Sequence, residues 1–522
     1  MDMKILNNRP AAHGYTKRWG PTAIICLVVV LGLGKLLVPY NGNTTESLNP
    51  SNTESPSVLA STATSDAEAK HIEHNEKRQS QKFVVTGINW NGLQQRRNFL
   101  DFAADADLLN IFLCGLEAMQ NMDQNDRESY FQIAGIHGAP YVPWDGEDGP
   151  NSFSGYCTHA SILFPTWHRP YIAAYEQILG NIIRNLANQY PASSRSRYQA
   201  AANRFRLPYW DWASNANIPN IIGTQVQVTV EKPQGFVRID NPLYTYTFHP
   251  FSPDFFPYAP FDDWPLTLRQ PDFEGDSHPE TANSQLSANQ VSLRNRVYNL
   301  LSFQNNYQVF SNKAWDNGGS GNQDSIESIH DLVHGAVGGG GLLKRSLEKR
   351  TGEPQLMQGN KYHEWAANIR LDKYSAGGPY LINLYVGEPK SVHNWTNDPN
   401  FVGSYYLFSK NGTCMGCKPN SIVTGSVPLT EALMRRVDNG DIESLEPANV
   451  TPYLKGRITW RVRQTDGKFL SPSDVKTLKV SVSAAEVTIP WSLATAPEIT
   501  RWTTYYDITN KKPGGLCYGD PV

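Results

Sequence analysis

Histidine placement constrains this chain more than any other feature of its sequence. Of 12 histidines in 522 residues, five fall into two groups with ligand-like spacing. The first group is His137, His159 and His168, in the runs Gly-Ile-His-Gly, Cys-Thr-His and Pro-Thr-Trp-His-Arg-Pro. The second is His330 and His334, in Ile-His-Asp-Leu-Val-His-Gly. Residues four apart share one face of a helix, so both imidazoles of the second group can reach one ion. Imidazole clusters suit Zn, Cu, Fe and Ni. A zinc protease of the HExxH type needs Glu after the first histidine, and here that residue is Asp331, so this class is disfavoured.

Composition removes other classes. The 46 basic and 49 acidic residues leave a net charge of −3, which supplies no basic face for a nucleic acid. Six cysteines are too few for a disulfide scaffold of this size. The length allows two to four domains with a buried core.

The N-terminus reads as a membrane address. Residues 1–21 form a basic leader with Lys4, Arg9, Lys17 and Arg18 against one acid, Asp2. Residues 22–40 are apolar apart from Lys35, long enough to span a bilayer. Basic residues before the span place the N-terminus in the cytoplasm and predict a type II anchor with a lumenal or extracellular body. A cleaved signal and a secreted protein are the rival reading. Residues 41–81 are Ser-, Thr-, Asn- and Glu-rich and read as a disordered stalk. Sequons begin at Asn43, Asn394, Asn411 and Asn449, weak support for a lumenal or secreted body.

From about residue 82 the composition becomes globular. Leu108, Phe112, Leu116 and Met119 recur at helical spacing, as do Ile178, Leu179, Ile182, Ile183 and Leu186, and then Leu293, Val297, Leu300 and Leu301. A short helix is expected over residues 325–337. Residues 222–278 show no period and read as long loops. Beyond Tyr362 the pattern alternates, as in residues 367–371, 380–386 and 458–462, which reads as strands. The fold class is therefore a mainly α catalytic domain followed by a β-rich C-terminal domain, without internal repeats. The expected boundaries are 82–341 for the helical domain, 342–361 for a linker, 362–490 for the β domain and 491–522 for a tail.

At this point a family resemblance is visible. The run Gly155-Tyr156-Cys157-Thr158-His159, then residues 164–171 and Tyr175-Glu176, resembles the copper A signature of tyrosinases, as does Leu207-Pro208-Tyr209-Trp210-Asp211-Trp212. Glu327-x-x-His330-Asp331-x-x-His334 before Gly338-Gly339-Gly340 resembles the start of their copper B signature. Residues from Tyr362 resemble the C-terminal domain of fungal tyrosinases. The resemblance covers roughly residues 83–485. It implies a type 3 pair of copper ions in a four-helix bundle, oxidising phenols and o-diphenols to o-quinones with O2 and feeding melanin-type pigment. His137, His159 and His168 would hold copper A, and His330 and His334 would be the first two ligands of copper B. Cys157 would form a thioether to His159, against the reading of a buried thiol. Glu327 is either part of a capping box with Asp324 or, as the resemblance implies, holder of a water beside the coppers. Asp331 would assist that water, but Asn is favoured there, which disfavours monophenol hydroxylation relative to diphenol oxidation. Cys414 and Cys417 form a CxxC that the resemblance assigns to copper delivery, against a local disulfide. The C-terminal domain would cover the active site in a latent proenzyme.

One part of the pattern is missing. The third copper B ligand lies on the fourth bundle helix in a run Asp-Pro-x-Phe-x-x-His-His, and this chain has none. Between His334 and Tyr362 there is no histidine at all. Either coding sequence is absent from this chain or the chain is a variant with an impaired copper B site. A copper-binding pseudo-enzyme and a reversible O2 binder are the alternative functions.

Overall fold

The structure, a computed structural model, describes residues 82–520 apart from 139–142, 148–155, 257–260, 273–274, 316–320, 339–359, 376–377, 392–393, 408–420, 465–466 and 491–496. The segments expected as basic leader, membrane anchor and stalk, most of the expected linker, Asn43, Asn411, Cys414 and Cys417 lie outside the described residues. Among the described residues no helix is long and apolar enough to cross a membrane.

The helical part is built from segments with identifiable start signals. Helix α1 (Ala106–Gln120) is capped by the Asp105 carboxylate, which accepts from Leu108 N–H. Helix α2 (Tyr130–His137) is capped by Ser129 and ends at Gly138. Helix α3 (Phe164–Ala187) carries Pro165 in its first turn, where a missing N–H costs nothing. Helix α4 (Ala192–Arg204) lies against α1 and α3. Their inward residues, among them Leu108, Ile111, Leu116, Ile178, Leu179 and Ile183, form one core. Helix α5 (Pro279–Phe303) presents Leu286, Leu293 and Leu300 along one face, each buried. That face packs on helix α6 (Ile326–Gly338), which carries His330 and His334.

Residues 222–278 are not entirely loop. Strands β1 (Gln227–Lys232) and β2 (Gly235–Asp240) form an antiparallel hairpin across a two-residue turn, with Gly235 at φ 122°. Phe236 is 78% accessible, but Val230 and Ile239 are buried in the helical core, and Val228 and Val230 alternate with polar Gln227, Thr229 and Glu231, a period too short to stand out from the loops around it.

The β domain has two antiparallel sheets. One is ordered β10-β9-β3-β6, from β3 (Lys361–Asp372), β6 (Ile422–Pro428), β9 (Lys479–Thr488) and β10 (Glu498–Ile499), with β11 (Thr503–Thr504) also on β9. The other is β5-β4-β7-β8, from β4 (Tyr380–Val386), β5 (Phe401–Leu407), β7 (Ile458–Gln464) and β8 (Phe469–Leu470). Helices α7 (Thr430–Asp438) and α8 (Pro447–Arg457) contribute Leu433, Val450 and Leu454 to the core between them. The residues expected as a tail are a correction: β10, β11, Ile508 and Leu516 close one side of this domain, the last two fully or nearly buried. That segment lacks a long apolar run because it supplies single anchors to a core made elsewhere.

Strand β4 explains how the two parts meet. All seven of its residues are buried. Tyr380, Ile382, Leu384 and Val386 point into the β-domain core, whereas Leu381 and Tyr385 point into a second core shared with α5 and α6. Strand side chains alternate between faces, so one strand serves both cores. Tyr405 and Tyr406 of β5 divide in the same way.

Candidate metal centre

Four elements deliver the five clustered histidines. His137 is the last residue of α2, His168 lies near the start of α3, His330 and His334 sit on α6, and His159 stands on the loop before α3. Donor atoms of His137, His159, His168 and His330 all lie within 4.8 Å of one another. The Nε2 atoms of His137 and His168 are 3.2 Å apart. The His334 ring is centred 4.3 Å from His330 and 6.2 Å from His137, nearly parallel to the latter.

Two of these rings have their tautomer set by a neighbour. His168 Nδ1–H donates to Phe164 C=O at 2.6 Å, and His330 Nδ1–H donates to Asp331 Oδ1 at 3.1 Å. Each bond leaves Nε2 as the atom with a lone pair. His330 Nε2 is buried and has no hydrogen-bond partner. A buried, unsatisfied acceptor among other imidazoles is costly in a protein and fits a metal ion. Burial, reinforced by neighbouring histidines, pushes His159 well below its ordinary range, His168 down to about 4 and His334 to about 3. They are therefore neutral imidazoles near pH 7, the form that binds transition metals.

Cys157 Sγ lies 3.3 Å from His159 Nδ1 and 3.7 Å from Nε2, against the ring edge between them. It is equally close, 3.3 Å, to His168 Nε2. Glu327 does not complete a capping box. The α6 cap is Ser325, whose hydroxyl accepts from Ser328 N–H at 3.1 Å, and Asp324 forms a two-bond pair with buried Arg296. Both Glu327 oxygens instead accept from Ala160 N–H, at 2.8 and 3.0 Å. Ala160, next to His159, has φ 54°, a left-handed conformation that a non-glycine residue adopts only when its surroundings hold it.

Sequence reasoning missed three groups that hold this site. Lys313 is fully buried, ion-paired with Asp331 and 3.5 Å from Glu327 Oε1. Burial opposes the charge on Asp331, but Lys313 and the His330 hydrogen bond outweigh it and hold that carboxyl below the usual carboxylate range. Glu327 is pushed up, mainly by burial, with Asp331 adding to the shift and Lys313 opposing it. Gln270 donates to the C=O groups of Gly335 and Ala336, both at 2.8 Å, and so satisfies the α6 C-terminus. Tyr406 of β5 lies on the other side of α6, so close that a Cβ on Gly335 would fall 2.5 Å from its ring. An isolated Lys or Gln in a loop carries no sequence signal; only the Gly after His334 hinted at a close approach.

The remaining described histidines lie outside the cluster. His249 bonds Gln120 C=O, His278 pairs with Asp272 and Glu280, and His363 faces Glu446.

A helical body built around a cluster of five imidazoles, three of them neutral near pH 7, followed by a two-sheet domain, defines the class of this protein. The common central domain of tyrosinase matches residues 127–403, and the tyrosinase C-terminal domain matches residues 364–482. A tyrosinase of Neurospora crassa is 37% identical over 678 aligned positions, covering 83% of this chain and 98% of the relative. That alignment is longer than the 522 residues here, so the relative holds stretches without a counterpart in this chain. Polyphenol oxidase 4 of Agaricus bisporus is 36% identical over 48% of this chain, and the chain spans 41% of that relative. A solved structure of mushroom tyrosinase shares the fold, with a TM-score of 0.68 at 22% identity over 82% of this chain and 99% of that one. The chain belongs to the tyrosinase family.

Proposed function

We propose that this chain is a tyrosinase-type oxidoreductase, taking phenols and o-diphenols to o-quinones with O2 at a pair of copper ions. The observation that carries the reading is the convergence of four imidazoles within 4.8 Å, with the His334 ring 4.3 Å from that of His330, in a member of the tyrosinase family. His137, His159 and His168 hold one copper, and His330 and His334 supply two ligands for the second. When bound, copper supplies electron transfer between the phenol and O2. The chain's own residues orient the site. Phe164 C=O and Asp331 fix two ring tautomers, and Glu327 holds the loop that bears His159. Cys157 is placed to lock the His159 ring by a thioether. Glu327 and Asp331 are both engaged with Lys313, which favours a holding role over proton abstraction and hence diphenol oxidation over monophenol hydroxylation.

The helical body over residues 82–341 carries the chemistry, and the β domain from residue 362 packs behind α6. The anchor at residues 22–40, a lumenal body and copper delivery through Cys414 and Cys417 belong to the same reading, supported by the sequence alone. A second reading, an impaired copper B site, is favoured by the absence of histidine between His334 and Tyr362. Metal analysis of the purified full chain, with O2 uptake on tyrosine and on a catechol, tests both. Two coppers with catechol turnover support the oxidase. One copper or none without turnover supports the impaired site, and O2 binding without turnover points to a carrier.

A further inference from the structure

The loop after residue 311 sends one lysine into the interior. The Lys313 side chain is 1% exposed, and its Nζ meets both Asp331 and Glu327. Its N–H donates to Glu327 Oε2 at 3.3 Å. Its C=O accepts from Thr424 N–H of β6 at 2.6 Å and from the Thr424 hydroxyl at 3.3 Å. The other oxygen of Asp331 accepts from His330 Nδ1–H. These contacts form one continuous path from strand β6 through Lys313 and Asp331 to His330.

A buried carboxylate without a cation is costly, and so is a buried ammonium without anions. A neutral amide at position 331 would accept the same bond from His330 and require no counterion. Of the two acids that Lys313 meets, Asp331 is the one that bonds a histidine of the cluster, so through it the lysine bears on His330. We propose that Lys313 is a positioning residue of the metal centre. Its ammonium fixes the Asp331 carboxylate, the carboxylate fixes His330 Nδ1–H, and Nε2 is thereby presented to the metal. Its backbone carbonyl ties this lever to the β domain, so the C-terminal domain sets the geometry of a ligand it does not touch. The proposal rests on the copper reading only in naming what His330 binds.

The test compares Lys313→Met, Lys313→Met with Asp331→Asn, and Lys313→Met with Asp331→Ala, all in the full chain. Nitrogen-15 histidine NMR of the metal-free protein reads the His330 tautomer, and Cu(II) titration reads affinity. Lys313→Met is expected to mix the His330 tautomers and weaken Cu(II) binding about tenfold or more, the usual effect of losing a partner behind a ligand. Pairing it with Asp331→Asn restores the single Nδ1–H tautomer and brings affinity to within about threefold of wild type. Pairing it with Asp331→Ala does not. Where the single variant fails to fold, Asp331→Asn alone is the reference: adding Lys313→Met to it should change neither tautomer nor affinity, and a further loss overturns the proposal. An unchanged His330 tautomer in a folded Lys313→Met chain overturns it too. Equal Cu(II) binding by wild type and His330→Ala would instead reject the copper reading, which the tautomer measurement does not depend on.

Discussion

Glu327 and Glu364 are both buried acids, and their partners give them different roles. Glu327 has an ammonium and two backbone N–H groups, those of Ala160 and Lys313, to hold its charge. Glu364, on β3, has only neutral donors, chief among them Asn299 Nδ2 of α5 at 2.8 Å. Burial therefore pushes its carboxyl up to about 7, with the bonds from Asn299, Thr430 and Tyr362 opposing. The folded state binds this proton more tightly than the unfolded chain, whose value is near 4.5. The stability it contributes is complete below pH 4.5 and is lost as pH rises through about 7. Relative to Glu364→Gln, the wild type should lose up to about 3 kcal/mol across that window. Urea unfolding at a series of pH values checks this; parallel curves for the two proteins would exclude it. Cys157 gives a second prediction at this scale. Copper-loaded chain exposed to O2 should yield a digest peptide in which Cys157 and His159 are linked, lighter by two hydrogens. Mass spectrometry finding only the unmodified peptide would reject the thioether.

Helix α6 shows what an element must satisfy here. One side carries His330 and His334, another packs Ile329, Leu332 and Val333 with α5, and Gly335 admits the Tyr406 ring. The four-residue histidine spacing and the apolar period both made the helix legible. Its glycine was legible only as a residue after a histidine, because the ring that requires it comes from a strand about seventy residues later. Gly335→Ala should destabilise the chain by about 1–3 kcal/mol through overpacking, although alanine favours helix. Thermal unfolding at fixed pH measures this, and an unchanged or raised midpoint would mean that Tyr406 moves aside freely. The hairpin β1–β2 is the opposite case: its apolar alternation is only two valines long, Val228 and Val230, too short to be read as a strand among loops.

At the scale of the molecule, the two parts meet where β5 lies against α5 and α6, with Leu381 and Tyr385 of β4 adding to the shared core. Ile382→Ala removes a side chain from the β-domain core and should cost about 2–5 kcal/mol, loosening that domain as a whole. Tyr385→Ala empties the shared core instead and should loosen the packing of α5 and α6 on the β domain while the β sandwich persists. Hydrogen exchange separates the two outcomes. The first variant raises exchange across β3, β6 and β9, and the second raises it mainly in α5 and α6. Equal patterns would contradict the division of β4 between two cores.

The sequence alone determined the grouping of the five histidines, the helical body and the following strands, because ligand-like spacing and backbone period are both local patterns. It also determined that the sixth ligand expected by family pattern has no histidine to supply it between His334 and Tyr362. Only the tertiary structure decided what stands behind the ligands. Lys313, Gln270, Thr424 and Tyr406 reach the site from separate segments. A hydrogen bond or ring contact made across the fold leaves no spacing in the chain that could announce it.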